Sequence, residues 1–222
     1  MTQETWAAVD GYFGDLLVHE DAALRSAVES GAEAGLQPIQ VSPAQGKFLH
    51  LLARAIGARQ VLELGTLGGY STIWLARALP ADGRIVTLEI NPKHAEIAAK
   101  NFAHTGVTGK VELRLGKALD TLPQLEAEGR GPFDLIFIDA DKAGMPAYFE
   151  WSLKLARRGS VIISDNVVRD GGVLKAISDD ENIQGVRRFA EMVSREKRVS
   201  ATVLQTVSEK GYDGFAFLLV TA

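Results

Sequence analysis

The 222-residue chain contains no cysteine. Disulfides, iron–sulfur clusters, thiolate zinc sites and cysteine nucleophiles are therefore all excluded. Long apolar runs are also missing, because segments such as 161–163 and 215–220 are far shorter than the ~20 residues of a membrane-spanning helix. The first residues also lack a basic region followed by an apolar stretch. We therefore expect a cytoplasmic protein with no membrane partner.

An excess of basic charge is absent as well. The chain has 24 Lys and Arg against 28 Asp and Glu, a formal net charge of -4, so it exerts no long-range attraction on polyanions. We therefore expect no nucleic-acid partner. Its 46% hydrophobic and 23% charged residues are typical of a globular chain, and no repeat or linker divides it. We predict a single domain over residues 1–222, in which residues 1–57 form helices that cover the site.

Helical periodicity marks the first 57 residues. Apolar residues recur at helical spacing and predict helical structure over residues 4–30, namely Val9, Phe13, Leu16 and Leu17. Ser42-Pro43, with Gln45 three positions after the serine, has the sequence of a capping box and predicts a second helix that begins there.

Beyond residue 57, short apolar runs alternate with helical stretches. Strands are predicted at 61–64, 85–90, 111–115, 133–138 and 161–163, and helices at 70–79, 92–104, 118–127, 146–156 and 182–196. Such strands form a parallel sheet that helices cover on both faces. Two more strands, at 199–207 and 215–221, are joined by a short glycine-containing loop as a hairpin, so one of them runs antiparallel. The predicted fold is a doubly wound α/β sheet, mostly parallel, with one antiparallel strand near the C-terminus.

The first two strands end in residues suited to a cofactor, since ligands bind at the carboxyl ends of the strands in such sheets. A turn with three glycines, residues 65–69, follows Leu64 and lets the backbone approach a ligand closely. Leu67 stands where the dinucleotide motif needs glycine, which weakens a dinucleotide interpretation. Glu89 ends the second strand, where an acid can accept hydrogen bonds from ribose hydroxyls; taken alone it is equally well a helix cap. Together the two features favour an adenosine cofactor without deciding which one.

The fourth and fifth strands end in oxygen ligands. Asp139 follows one strand, and Asp165 and Asn166 follow the other, so the three side chains should lie close together. Such a donor set suits Mg²⁺, Mn²⁺ or Ca²⁺. Each segment alone is more commonly a turn, but both together beside a cofactor turn favour a metal. Lys142 is either a base beside this cation or the partner of Asp141, and the residues alone leave both readings open.

Histidine chemistry is not expected. The chain has four histidines, His19, His50, His94 and His104, and all are predicted within helices as packing or surface residues. Phosphate-binding loops of the G-x-x-x-x-G-K-[ST] type and serine-hydrolase elbows of the G-x-S-x-G type do not occur.

Three motifs together resemble a known family. V-L-E-L-G-T-L-G-G-Y-S at 61–71, F-I-D-A-D-K at 137–142 and S-D-N at 164–166 resemble the cation-dependent class I O-methyltransferases, which include catechol and caffeoyl-CoA O-methyltransferases and small bacterial members. The resemblance extends from about residue 41 to residue 215. It implies a Rossmann-like sheet of seven strands with the seventh antiparallel, S-adenosyl-L-methionine (SAM) as cofactor, and a divalent cation, with Mg²⁺ expected first and Mn²⁺ or Ca²⁺ as alternatives.

The resemblance also assigns residues by position. It implies Glu63, Gly65, Thr66 and Ser71 around the methionine end of the cofactor, Glu89 at the ribose, Ala118 beside the adenine, and Val41 lining the site from the preceding loop. It also counts Asp139 among the cofactor-binding residues. Asp139, Asp165 and Asn166 match the metal ligands, and Lys142 matches the base. The chain departs from the family at Met145, where an aromatic residue is common. It also has no clear match for the carboxylate that holds the second hydroxyl in the catechol enzyme, so the regiochemistry stays open.

The activity implied by the resemblance is methyl transfer from SAM to one hydroxyl of a small aromatic molecule with two neighbouring hydroxyls. The substrate mouth is expected between the N-terminal helices, residues 143–148 and the loop 167–180. Two alternatives remain from the residues themselves. An NAD-dependent oxidoreductase would use the glycine turn and Glu89 but gives no reason for Asp139 and Asp165, and an RNA-modifying methyltransferase would need a basic face.

An apolar stripe on the first helix, with Trp6, Val9, Phe13 and Leu16, raises the question of assembly. The stripe predicts a homodimer, although packing within one chain produces such stripes more often.

Overall fold

A computed structural model describes residues 2–222 of the protein. The strands along the chain are β1 (Gln60–Leu64), β2 (Arg84–Glu89), β3 (Val111–Leu115), β4 (Phe133–Ile138), β5 (Ala156–Ser164), β6 (Val199–Ser208) and β7 (Gly211–Val220). In this part of the chain they form one seven-stranded sheet in the order β3-β2-β1-β4-β5-β7-β6. Strand β7 runs antiparallel to both of its neighbours, and the pairs among β1 to β5 are parallel. The predicted mostly parallel sheet with one antiparallel strand is confirmed.

Helices cover both faces of the sheet. They are α1 (Gln3–Phe13), α2 (Ala22–Glu33), α3 (Pro43–Ala55), α4 (Tyr70–Ala78), α5 (Pro92–His104), α6 (Ala118–Ala127), α7 (Met145–Leu155) and α8 (Glu181–Arg195). Side chains of α2 to α5 form a core with one face, and side chains of α6 to α8 form a second core with the other. The central strands are therefore buried on both sides.

Alternation along the strands assigns each apolar side chain to one of these two cores. In β4, Leu135 and Phe137 face α2 to α5, whereas Ile136 and Ile138 face α6 to α8, because successive side chains of a strand point to opposite faces. Each side chain buried in this way stabilises the fold by about 1.5–3 kcal/mol relative to exposure. This double burial explains why the central strands are continuously apolar.

Local sequence signals fix where two of the helices begin. The Ser42 hydroxyl accepts a hydrogen bond from the Gln45 N–H at 3.2 Å, and the Gln45 side chain accepts one from the Ser42 N–H at 3.1 Å. This is the predicted capping box at the start of α3. Asn91 caps α5 through the Lys93 N–H at 2.9 Å.

The region 4–30 is mostly helical, as predicted, but a break divides it. Helix α1 ends at Phe13, a π-helical turn over Gly14–Val18 follows, and His19 adopts a left-handed backbone with φ of 51°. Asp21 then starts α2 by accepting a hydrogen bond from the Leu24 N–H at 2.9 Å. The apolar spacing continues across the break, but glycine lowers helix propensity and an aspartate cap favours a new start.

Two strands are longer than the apolar runs that predicted them. Strand β5 begins at Ala156, where it pairs with Phe133, instead of residue 161. Strand β7 begins at Gly211 instead of residue 215. The added residues of β5 include the exposed Arg157 and Arg158, so hydrophobicity alone does not reveal them.

The apolar stripe of the first helix is exposed. Helix α1 has no buried residue; Val9, Phe13 and Leu16 of the stripe are 48%, 52% and 51% exposed, and the adjacent Leu17 is 62% exposed. Packing within residues 2–222 therefore does not cover this stripe, and the homodimer stays a prediction. Among the described residues, no helix has both the length and the apolar character that crossing a membrane requires.

Candidate active site

The carboxyl ends of the central strands open onto one cavity of about 740 Å³. Of the residues predicted for the site, those that line it are Val41, Gly65, Thr66, Ser71, Glu89, Ala118, Asp139, Lys142 and Asn166. Glu63 and Asp165 do not line the cavity and are buried beside it, 0% and 5% exposed. One cavity thus combines the predicted cofactor residues with the predicted base and most of the predicted metal ligands.

Gly65 allows the turn after β1 to lie directly against the end of β4. Its φ is +95°, which favours glycine. A Cβ atom at this position would stand only 2.1 Å from the backbone oxygen of Asp139. Any side chain at residue 65 would therefore force the cofactor turn away from the predicted metal ligand.

Glu89 organises the backbone of the glycine-rich turn. Its Oε2 accepts hydrogen bonds from the N–H groups of Thr66 at 3.2 Å and Leu67 at 2.8 Å, and its Oε1 accepts one from the Asn91 N–H at 2.9 Å. The carboxylate is 6% exposed and lines the cavity. A carboxylate offers about two acceptor sites on each oxygen, so Oε2 is fully used and Oε1 keeps one site for a ligand hydroxyl.

Glu63 lies behind the cavity wall and holds that wall in place. Its carboxylate accepts hydrogen bonds from the hydroxyls of Ser71 and Thr87, each at 2.7 Å, and of Thr72. Burial, with a smaller contribution from the charge of Asp139, raises the pKa of Glu63 to about 7 against these three hydrogen bonds. Glu63 therefore orients the hydroxyl of Ser71, which lines the cavity.

The ends of β4 and β5 bring two carboxylates and a lysine together. Ile138 pairs with Ser164 in the sheet, so Asp139 and Asp165 follow at neighbouring strand ends. Lys142 Nζ lies 3.0 Å from Asp139 Oδ1, and the lysine is 6% exposed. Burial, together with the charge of Asp139, raises the pKa of Asp165 to about 7, and Lys142 opposes that rise.

These ligands fit a hard divalent cation. Among residues 2–222, no three carboxylate, imidazole or thiolate side chains converge, so a cation here would be held by two carboxylates and the Asn166 amide. Asn166 adopts a left-handed backbone with φ of 55° and lines the cavity. The pKa of Asp165 is raised because its carboxyl is buried and close to the negative charge of Asp139. A cation between the two carboxylates would stabilise the ionised form of both. The amide and carboxylate oxygens are ligands that Mg²⁺ and Ca²⁺ accept.

Residues of helix α8 contact the backbone of Lys142 and fix its position. Gly185 of this helix packs against the lysine backbone so closely that a Cβ atom would stand 2.0 Å from the Lys142 carbonyl oxygen. The Asn182 side chain accepts a hydrogen bond from the Lys142 N–H at 3.3 Å. The backbone of the predicted base is therefore fixed by residues 40 or more positions away in the sequence.

Histidine 94 corrects the expectation that all four histidines lie in helices away from the strand ends. It lines the cavity, with Nδ1 3.5 Å from Glu89 Oε1. It occupies the first turn of α5, which begins right after β2, and a helix that starts at a strand end starts at the ligand-binding edge. That signal was available in the sequence. His19 also departs from the prediction, because it links two helical segments.

Some of the segments predicted to form the entrance for the substrate line the cavity. Ile39, Gln40 and Val41 line the cavity from the segment before α3, and Arg169 lines it from the loop after β5. Met145 is 1% exposed and packs in the core instead of lining the cavity. Tyr148, one helical turn further, lines the cavity and donates a hydrogen bond to Asp141. The region 143–148 was predicted at the substrate mouth, but no sequence signal singled out this tyrosine.

Comparison with known proteins places the chain among methyl-transferring enzymes. A model of the O-methyltransferase family matches residues 15–212. The chain is 54% identical over 220 residues to a catechol O-methyltransferase of Niastella koreensis, covering 99% of this chain and 100% of that protein. It is 53% identical to a catechol O-methyltransferase of Mycobacterium tuberculosis, covering 96% of this chain and 94% of that protein.

Solved structures show the same likeness over the whole fold. An O-methyltransferase from Bacillus cereus in complex with SAH is 55% identical with a TM-score of 0.98, covering 99% of this chain and 100% of that one. The O-methyltransferase TomG from Streptomyces achromogenes, involved in tomaymycin synthesis and solved in complex with SAM, is 53% identical with a TM-score of 0.97, covering both chains completely.

Proposed function

The chain belongs to the O-methyltransferase family and is a SAM-dependent enzyme, and from this premise we propose that it methylates one hydroxyl of a small aromatic molecule with two neighbouring hydroxyls. The observation that carries the proposal is that Asp139, Lys142 and Asn166 share a cavity with the glycine-rich turn. A methyl donor on that turn and two oxygens at the strand ends would then be held next to each other. The names of the two catechol O-methyltransferases support the same acceptor class.

The cofactor would lie across the ends of β1 and β2. Glu89 would accept hydrogen bonds from the ribose hydroxyls, and Ala118 would lie beside the adenine, since both line the cavity. Gly65, Thr66 and Ser71 would surround the methionine end, with Val41 on the opposite wall. Glu63 would act through Ser71, whose hydroxyl it holds at 2.7 Å.

The acceptor would bind at the ends of β4 and β5. Asp139, Asp165 and Asn166 would hold a divalent cation, Mg²⁺ first and Mn²⁺ or Ca²⁺ as alternatives. When bound, this ion would orient both acceptor oxygens and lower the pKa of one of them. Tyr148 and Arg169 would form part of the surrounding wall, because both line the cavity.

Lys142 would serve as the base. Lys142 is buried beside Asp139 and lines the cavity in which the acceptor hydroxyl would bind, which supports this role. Lys142 would take the hydroxyl proton, and the oxygen would attack the methyl carbon of SAM as the carbon–sulfur bond breaks. The products are S-adenosylhomocysteine (SAH) and an aryl methyl ether. Most of the rate would come from holding these groups in line.

Methyl transfer from labelled SAM to a panel of acceptors tests the proposal. We expect transfer to catechols, little transfer to phenols with a single hydroxyl, loss of activity after exhaustive chelation, and recovery with Mg²⁺. Equal rates with single-hydroxyl phenols, or full activity after chelation, would contradict the two-oxygen acceptor and the cation. An arm with RNA as acceptor tests the RNA-modifying alternative, for which labelled RNA would be the positive result. The NAD-dependent alternative is overturned by the family match.

A further inference from the structure

The turn between β6 and β7 holds N-terminal residues at three points. The Gln3 side chain donates a hydrogen bond to the Glu209 carbonyl at 2.9 Å, and the Glu209 N–H donates one to Asp10 Oδ2 at 2.9 Å. Lys210 Nζ donates to the carbonyl oxygen of Pro38 at 3.2 Å and to that of Gln40. The partners are 170 or more positions apart in the sequence. One turn at the end of the chain therefore anchors both α1 and the segment between α2 and α3.

The segment that Lys210 contacts forms a wall of the cofactor cavity. Ile39, Gln40 and Val41 line the cavity, and Val41 is buried. Within residues 2–222, Lys210 is the donor that reaches the carbonyls of Pro38 and Gln40. The ammonium thus bridges the two carbonyls on either side of Ile39, the first residue of this wall.

The anchor follows two fully paired strands, whereas the segment has few backbone hydrogen bonds of its own. Strands β6 and β7 pair over ten residues from Val199 to Ser208, so the turn at their end is a fixed point. The segment between α2 and α3 has few backbone hydrogen bonds of its own, such as the one from the Ile39 N–H to the Gln37 carbonyl at 2.9 Å. A segment with so few internal bonds opens more easily than the core around it. Its position over the cavity therefore depends on bonds from outside.

The ammonium lies behind the cavity wall, and its charge interacts with acids of the site. Partial burial lowers the pKa of Lys210, while Glu209, Asp139 and Asp165 oppose that change. The charge of Lys210 is thus felt by both predicted metal-binding acids. A charge-assisted hydrogen bond is about twice as strong as a neutral one.

We propose that Lys210 is a positioning residue that clasps segment 38–41 over the bound cofactor and thereby slows the release of SAH. This inference rests on the proposed function only in assigning the cavity to the cofactor. Opening the segment would require breaking both lysine bonds, so the clasp acts on dissociation more than on the chemical step. The same bonds connect the cavity wall to the hairpin of β6 and β7, in which β6 forms one edge of the sheet.

The test compares Lys210→Met with Lys210→Arg, which keeps a cationic donor, and with Lys197→Met as the matched control. Lys197 is exposed near the start of β6, at the opposite end of that strand, and its side chain makes no hydrogen bond or ion pair in the described structure. The readouts are the SAH dissociation rate by stopped-flow competition, KM for SAM, kcat, and amide hydrogen exchange over residues 36–42.

We expect Lys210→Met to release SAH roughly tenfold faster and to raise KM for SAM by a similar factor, with faster exchange over 36–42. Tenfold corresponds to about 1.4 kcal/mol, within the range of hydrogen bonds to a charged group. The SAH dissociation rate of Lys210→Arg should stay within about threefold of the wild-type rate. The rate of Lys197→Met should equal the wild-type rate.

An unchanged SAH dissociation rate in folded Lys210→Met overturns the clasp, and so does a Lys210→Arg variant as fast as Lys210→Met. If Lys210→Met does not fold, Lys210→Gln, whose amide keeps N–H donors but carries no charge, takes its place and should release SAH several-fold faster than Lys210→Arg. Failure of the wild-type protein to bind SAH would count against the proposed function instead, so the two failures are distinguishable.

Discussion

Replacing Glu63 by glutamine should remove a pH dependence of stability. Glu63 is fully buried, its carboxylate accepts three hydroxyl hydrogen bonds, and no ion pair reaches it within the described residues. Burial raises its pKa from the ordinary 4.5 to about 7. Glutamine has the same shape and stays neutral, so it resembles the protonated acid at every pH.

The sign and size of the effect follow from this raised pKa. The folded protein binds the Glu63 proton more tightly than the unfolded chain does. The contribution of Glu63 to the free energy of unfolding is therefore fully present below pH 4.5. That contribution is lost as the pH rises through about 7. Each pKa unit corresponds to about 1.4 kcal/mol, so the full loss is about 3 kcal/mol. The difference in unfolding free energy, Glu63→Gln minus wild type, should therefore rise by about 2–3 kcal/mol between pH 5 and pH 8.

Urea denaturation at pH 5, 6, 7 and 8, followed by circular dichroism, measures this difference. Glu126→Gln is the control, because Glu126 is exposed on α6 and its side chain makes no hydrogen bond within residues 2–222; its difference from wild type should be small at every pH. A difference for Glu63→Gln that stays constant across the range would refute the raised pKa, and with it the picture of Glu63 as a neutral support below pH 7.

Four further predictions concern the site and the assembly. Glu89→Ala should weaken SAH binding by about 2 kcal/mol, roughly 30-fold, because charge-assisted hydrogen bonds to the ribose would be lost; calorimetry with unchanged affinity would remove Glu89 from the cofactor. Asp165→Asn should raise the Mg²⁺ concentration for half-maximal activity by roughly 10–100-fold, and an unaltered metal titration would make it a turn residue. Lys142→Ala should lower kcat by about 10²–10⁴, less for nitrocatechols that ionise readily; an equal loss for every acceptor would indicate positioning instead of proton transfer. Sedimentation should give twice the chain mass, and Phe13→Asp with Leu17→Asp should halve it, whereas a monomeric wild type would end the dimer prediction.

Local patterns were sufficient to predict the fold and the edge of the sheet where the site lies. Continuous apolar runs predict buried parallel strands because both faces of β1 and β4 are covered. The capping box at Ser42 specifies a helix start because its hydrogen bonds span only three residues. Asp139 and Asp165 could be paired from the sequence because parallel strands end at the same edge.

Some features depend on contacts that no local pattern contains. Glu63 belongs to a strand end rich in cofactor residues, yet the alternation of the strand turns it away from the cavity and towards Thr72 and Thr87. The break at His19 follows an uninterrupted apolar spacing, so periodicity alone could not reveal it.

The sequence by itself determined which residues could carry the chemistry and at which strand ends they stand, because secondary structure and its polarity are written in short-range patterns. Only the tertiary structure decided which distant residues hold them. Gly185 fixes the Lys142 backbone from α8, and Lys210 reaches the cavity wall across more than 160 residues. Such contacts arise when separate elements pack together, and the spacing of residues along the chain carries no record of them.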